Sequence, residues 1–426
     1  MPVEIKSIRA CSTLINNIVA HSLGFYKHLH KITAKRKKVY TATAFTFSQK
    51  RCIIGNMNIE ELKMGIKNIK EPRRTGYGNI RHKLEDIIII GLCTVICGGE
   101  DFADMEAFGK SRQEYLAKFL ELPNGIPDSD TFRRVFEKLD PSELSSCLID
   151  WVAAERAERG VVAIDGKTIC GSANAKHKAY HVISAFAAEN QLTLGELTVE
   201  EKTNEITAVP ELLNLIDVKG SIVTADAMSC QKKIVETITE KKADYAIGLK
   251  QNQPALYKDT EDYFNEYYKE IPSTNTLDKG HGRIEKREYR LLTDLSWLEQ
   301  RSEWIGLKAL GSVKSTITEK GETHEFTRYF ITSLTDLNEF SYSVRKHWSI
   351  ENQLHWCLDV IFREDASRAR KDNSPLNLNV LRKTALNLVS QAQYKRISKK
   401  RLMFRAALEP ALFLDILFDP SSVSPQ

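Results

Sequence analysis

The run VVAID (161–165) is where this chain changes period. A short, continuous apolar run rich in β-branched residues reads as a buried strand. HVISAFAAE (181–189) and LTLGELTVE (192–200) follow it, separated from each other by Asn190 and Gln191 alone, and read as a β-hairpin. A helix is expected at Ala208–Leu215, a strand at SIVTAD (221–226), a helix at Cys230–Glu240 and a strand at ADYAIGLK (243–250). That order predicts a mixed α/β sheet. Residues 251–340 interrupt it with a polar, aromatic-rich stretch of short strands, and helical spacing returns through Tyr342–Val360 and Leu376–Gln393.

Upstream of Val161 the spacing is helical: Ile59–Ile69, Lys83–Cys97, Ala103–Leu122, Asp130–Leu139 and Glu143–Arg156. Ser129 or Asp130 is the expected N-cap of the fourth of these, and Pro141 its stop. Arg133 and Arg134 on that helix hint weakly at a helix-turn-helix, although plain packing explains them as well. Residues 1–56 have no sustained apolar periodicity. They read as a basic arm, or as sequence lying ahead of a true start at Met57.

At 426 residues, 42% hydrophobic and 27% charged, the chain suits two or three domains with a sizeable core. The longest apolar stretch, Ile87–Gly98, is about 12 residues, short of the roughly 20 that span a bilayer. No membrane segment or secretory leader is expected. Eight cysteines without regular spacing point to reduced thiols in a cytosolic compartment. Cys93 and Cys97 read as buried helix residues, because no neighbouring ligands complete a zinc set. No repeat of 20–50 residues, phosphate-binding loop, dinucleotide fingerprint or HExxH is present, which argues against ATP-driven and nicotinamide chemistry.

The net charge of +5 hides an uneven distribution. Residues 1–56 hold ten Lys/Arg against the single acid Glu4, so the remainder is acidic. A second basic stretch runs from Arg368 to Arg405 and includes Arg370, Lys371, Arg382 and Lys383. Such blocks suit a phosphate backbone, or else form solvated surfaces.

Two aspartates hold equivalent places, Asp165 and Asp226, each at the end of a short apolar strand. A carboxylate against a core is costly unless capped, paired or bound to a cation. Gly166 and Ala227 after them leave room for a ligand near the backbone. A third acid is Glu351, beside the stripe Ile350, Leu354, Leu358 in the helical stretch Tyr342–Val360. Several carboxylates with water suit Mg²⁺, with Mn²⁺ as a substitute, and paired ions can clamp a phosphodiester. His347 and His355 lie one turn either side of Glu351 and suit either phosphate contact or, less well, metal ligation. Trp348 and Trp356 read as packing residues. LKQNQP (249–254) carries donors suited to phosphate or sugar, and GHGRIEKREYR (280–290) reads equally as a turn that approaches a phosphate backbone or as a solvated hairpin.

Five blocks occur in one order along the chain: AIDGKTICGS (163–172), VTADAMSCQKKIV (223–235), DYAIGLKQNQPAL (244–256), KGHGRIEKREYR (279–290) and HWSIENQLHWCLDVIFREDASRARKDN (347–373). They resemble the DDE transposases of bacterial insertion sequences, in the H-repeat or Rhs-element-associated branch. IPDSDTFRRVFEKLD (126–140) resembles that branch's transposase-associated N-terminal domain. The likeness runs from about residue 58 to 400.

The resemblance implies a ribonuclease H-like α/β core with a β-rich insertion, preceded by a helical domain. Its boundaries would be 57–157 for the helical domain, 158–395 for the catalytic domain with the insertion at about 251–340, and 396–426 for a tail. It places Asp165 on the first strand, Asp226 on the fourth and Glu351 on the helix after the insertion, as catalytic and metal-holding residues. The implied activity is Mg²⁺-dependent cutting of element ends and joining of the 3′ hydroxyl to target DNA. The implied setting is an assembly of two or more copies on terminal repeats and target DNA, in the bacterial cytoplasm and at the nucleoid when bound. The expected DNA contacts are Lys167, Lys250, His281, Arg283, Arg345, His347, Arg368 and Arg370. Many related enzymes carry Tyr and Arg seven and four positions before the catalytic Glu and Lys seven after it. Here Val344, His347 and Leu358 stand in those places, so the basic role falls to His347 or Arg345. Two rivals remain: a DNA-binding protein that has lost cleavage, and a metal-dependent nuclease that does not transpose.

Overall fold

The computed structural model of the protein describes residues 59–418 except 77, 79, 154–158, 176, 200–204, 281 and 393–396. The basic arm, His281, Lys395 and Arg396 therefore lie outside the described residues.

Among the described residues six helices come first: α1 Ile59–Lys67, α2 Leu84–Ile96, α3 Phe102–Ser111, α4 Gln113–Leu116, α5 Ser129–Lys138 and α6 Pro141–Ala153. The apolar run of α2 is buried on every side, as expected of a helix without a polar face. The single helix expected over Ala103–Leu122 breaks at Arg112 into α3 and α4. Helix α5 buries Phe132, Val135 and Phe136, the i, i+3, i+4 face of an amphipathic helix. Its N-cap is Asp128, one residue ahead of the expected Ser129 or Asp130. Asp128 has extended backbone, and its carboxylate accepts the Thr131 N–H at 2.6 Å.

The strands build one nine-stranded sheet in the order β3-β2-β1-β4-β5-β9-β8-β7-β6. Its first five are β1 Val161–Thr168, β2 His181–Ala187, β3 Leu192–Val199, β4 Ile222–Ala225 and β5 Asp244–Leu249. Strands β1, β4 and β5 run parallel, and β2 is antiparallel to its neighbours. This 3-2-1-4-5 order with one reversed strand is the ribonuclease H-like arrangement. Helix α7 (Glu205–Leu215) lies between β3 and β4 in the chain, and α8 (Lys232–Glu240) between β4 and β5. The central strands are buried runs such as Val161–Ile164 and Tyr245–Ile247, as parallel strands covered on both faces require.

The segment after β5 is longer in its elements than the short strands expected. Helix α9 (Pro254–Glu266) precedes β6 Ser273–Gly280, β7 Arg283–Leu292, β8 Ala309–Glu319 and β9 Glu322–Thr332, an antiparallel meander. Strand β9 pairs with β5, so the meander continues the central sheet. Its inner ends are buried and its outer ends exposed. Helix α10 (Leu337–His347) packs Phe340 and Val344 on the inner half, against Tyr289, Val313 and Phe330. Gly311 allows this, because a Cβ there would come within 2.2 Å of the Phe340 ring.

Beyond α10 the backbone winds through two π-helical stretches, Ile350–His355 and Cys357–Ile361. Helix α11 (Ser374–Gln391) runs through the core with Ser374–Val389 all buried. Arg382 and Lys383, counted in the second basic stretch, are therefore interior: the Lys383 ammonium is held by Glu196 and by Ser184 Oγ. The expected tail instead forms α12 Lys399–Leu408 and α13 Pro410–Phe418, which bury Leu402, Met403, Phe413 and Ile416. Apolar spacing in RLMFRAALEPALFLDILF carries that packing.

Candidate active site

The β1–β4 ladder runs from Val161↔Ile222 to Ile164↔Ala225, so Asp165 and Asp226 are the next residues on adjacent parallel strands. Strand β1 does not end there as expected. It continues to Thr168 on β2, with Asp165 opposite Ser184. Asp226 leaves β4 and caps a 3₁₀ turn, its Oδ1 accepting the N–H groups of Met228 (3.0 Å) and Ser229 (3.4 Å). The loop after β5 braces this turn: Asn252 Nδ2 donates to Ala227 O at 2.8 Å, and Gln253 Nε2 to Cys230 O at 2.9 Å. These amides, read in the sequence as phosphate donors, are bonded within the protein.

Glu351 is exposed at the start of the first π-helical stretch, while Ile350, Leu354 and Leu358 are fully buried beneath it. π-Helical turns concentrate at functional sites. Asp165, Asp226 and Glu351 line a single cleft of about 760 Å³. Burial pushes the Asp165 carboxyl up to about 7, and the charges of Asp226, Glu351 and Glu205 push the same way against the Gly166 backbone N–H. A carboxylate so placed is stabilised by a cation. Carboxylate oxygens are the donors a hard divalent ion takes, although among the described residues the acids whose oxygens lie within 4.8 Å of one another are Asp359, Glu364 and Asp365.

The room beside Gly166 is not left for a ligand. A Cβ there would meet His181 Nε2 at 2.4 Å and Glu205 Oε1 at 2.7 Å. These two atoms are hydrogen-bonded at 2.6 Å, and His181 Nδ1 meets Thr168 Oγ1 at 2.9 Å.

His347 and His355 turn to different strands. His347 Nδ1 is 3.1 Å from Thr224 Oγ1, and burial pulls its pKa down to about 4. His355 Nδ1 is 3.6 Å from Asp165 Oδ2, and burial pulls it down to about 3. Burial thus disfavours the charged form of both rings.

Of the expected DNA contacts, Lys250, Arg345 and His347 line the cleft with the three acids. Arg345 is exposed and paired with Asp278 at 3.3 Å. Arg283 is exposed and paired with Glu285 at 2.9 Å. Arg368 and Arg370 are exposed beyond the π-helical segment, and Arg370 Nε donates to Gly171 O at 2.9 Å. Lys167 is turned inward. Its ammonium lies 2.8 Å from both Asp359 Oδ1 and Glu364 Oε2, and 3.7 Å from Asp365 Oδ1. Those acids form a second trio, with oxygens within 4.8 Å of one another, and Lys167 is bonded into it.

Sequence reading missed Arg328 on β9, which lines the cleft although THEFTRYF carries no motif. It also took Trp348 and Trp356 for packing residues. Trp348 is half-buried on the cleft wall, and Trp356 is 54% exposed.

Residues 149–388 match the family described as "Transposase DDE domain", and residues 64–152 match "DDE_Tnp_1-associated". The "Putative transposase YncI" of Escherichia coli O157:H7 is 38% identical over 85% of this chain and 95% of its own length. The "H repeat-associated putative transposase YhhI" of Escherichia coli K12 is 36% identical over 85% of this chain and 98% of its own. The cryo-EM structure of the piggyBac transposase synaptic complex with hairpin DNA aligns over 88% of this chain and 84% of that chain at 12% identity and TM-score 0.40, too loosely to decide anything here.

Proposed function

This chain belongs to the DDE transposase family, and from that premise we propose that it cuts the ends of its own element and joins them to target DNA. The observation that carries this reading is the meeting of Asp165, Asp226 and Glu351 in one cleft from positions far apart in sequence.

Asp165 and Asp226 are set on adjacent strands, and Glu351 is brought over them by α10 and the π-helical stretch. Together they hold Mg²⁺ or Mn²⁺. Bound there, the ions supply activation of the attacking oxygen and stabilisation of the leaving one. The braced Asp226 turn fixes one of the three ligands before DNA arrives, and the buried stripe under Glu351 fixes another, which is the preorganisation such a site needs. Lys250 and Arg345 at the rim receive the DNA backbone. Hydrolysis frees a 3′ hydroxyl, which then attacks the target phosphodiester. Two element ends call for an active assembly of at least two copies.

The test is incubation of the protein with DNA carrying the element's flanking ends and Mg²⁺, for the wild type and Asp226→Ala. Metal-dependent cuts at the ends, joined products and their loss in the variant are expected. Cuts without joining indicate a nuclease that does not transpose. Binding with no cuts in Mg²⁺ or Mn²⁺ indicates a DNA-binding protein alone.

A further inference from the structure

The cleft holds three carboxylates, and a phosphodiester approaching them meets like charge. The cations around it are not equally available. Arg287 is paired with Asp278 and with Glu285, the latter at 2.6 Å, and Arg345 shares the same Asp278. His347 is turned to Thr224. Arg328 differs. Among the described residues its guanidinium makes no hydrogen bond or ion pair. It is held instead by two aromatic rings, with its Cζ 4.7 Å from the Phe326 centroid and 5.0 Å from the Trp348 centroid.

Alternation along β9 puts Phe326, Arg328 and Phe330 on one face. Phe330 packs on Phe340 of α10. The side of β9 that anchors the helix leading to Glu351 therefore also presents this arginine to the cleft.

We propose that Arg328, propped between Phe326 and Trp348, is the cation that receives a phosphate of the DNA strand lying across Asp165, Asp226 and Glu351. The assignment rests on the strand-cutting reading for the identity of the ligand, but not for the binding itself. Five fixed N–H donors suit a phosphate's oxygens, and the two rings limit the rotamer freedom lost on binding. Burial already works against the charge of this guanidinium, so an anion placed against it is favoured. Trp348 and Arg328 form one wall with two jobs: the arginine takes the phosphate and the tryptophan holds the arginine.

The test is equilibrium binding of a short labelled DNA duplex in EDTA across a salt series, so that no cutting intervenes. Arg328→Ala is expected to bind about tenfold more weakly at low salt. The slope of log K against log salt should shrink by about 0.9, the loss of one phosphate contact. Arg328→Lys should restore the slope, and Trp348→Ala should weaken binding while keeping it. Melting temperatures should stay near wild type for the Arg328 variants, since among the described residues the guanidinium of this exposed side chain makes no hydrogen bond or ion pair and only ring contacts. An unchanged slope in Arg328→Ala, with the wild type binding, overturns this assignment alone. Wild-type binding without cleavage in Mg²⁺ overturns the strand-cutting reading and leaves the arginine's role standing. A wild type that does not bind DNA overturns both.

Discussion

Two trios of acids stand at the two ends of one helical segment, and both face β1. At the start of the segment Glu351 lines one cleft with Asp226 and with Asp165 of β1. At its end Asp359, Glu364 and Asp365 surround Lys167. Asp165 and Lys167 are two residues apart on the strand and so share a face. The strand thus offers an acid to one group and an ammonium to the other. In the second trio Glu364 is fully buried, and Lys167 holds its carboxyl below the ordinary value against the cost of burial. In the first, Asp165 is pushed up to about 7. One trio is closed by the protein's own cation. In the proposed reading the other takes its cation from solution.

The largest expected effect breaks the first trio. Asp165→Ala, Asp226→Ala or Glu351→Ala should each lower the rate of end cleavage by at least about a thousandfold, with duplex binding in EDTA largely kept. Cleavage within tenfold of wild type by any one of them would remove that residue from the site.

Next is the closed trio. Lys167→Met leaves the Glu364 carboxylate buried without its partner and should cost about 3–5 kcal/mol of stability in denaturant unfolding. A loss of less than about 1 kcal/mol would mean that the trio does not depend on its lysine.

Asp165→Asn should do the reverse at the open site. The folded carboxyl holds its proton up to about pH 7, well above the ordinary aspartate value. Stability from this group is therefore full below about pH 4, falls as pH rises and is lost above about 7. The variant should match wild type in acid and exceed it by about 1–3 kcal/mol at pH 8 without metal. Equal stability at pH 8 would show that Asp165 carries no such strain.

The smallest effect is a rise of a few degrees in melting temperature with millimolar Mg²⁺, present at pH 8, weaker below pH 7 and absent in Asp226→Ala. A rise that survives in Asp226→Ala but vanishes in Asp359→Asn would put the ion in the second trio.

The difference between the trios also marks how far the sequence could be read. The central strands were legible because Val161–Ile164 and Tyr245–Ile247 are buried on both faces, which leaves an unbroken apolar run. Asp165 and Asp226 were visible as acids attached to such runs. The meander was not legible as part of the same sheet. Its exposed outer strands resemble any polar β-structure, and the β5–β9 pairing that joins it spans about 80 residues. Lys167 looked like a DNA contact because nothing local shows that Glu364, almost 200 residues later, folds onto it. Arg328 gave no signal for the same reason: its place in the cleft comes from its neighbour strand. Lys383 counted as surface charge until its helix proved to be central. Types of residue were readable from the chain, but partners across the fold were not.

The most direct test of the contrast is a crystal of the full chain grown with Mn²⁺ near pH 8, with the ion located by its anomalous scattering. The account predicts a peak between Asp165, Asp226 and Glu351, and none at Asp359, Glu364 and Asp365, where Lys167 remains. A peak in the second trio, or none in the first at saturating Mn²⁺, would contradict it.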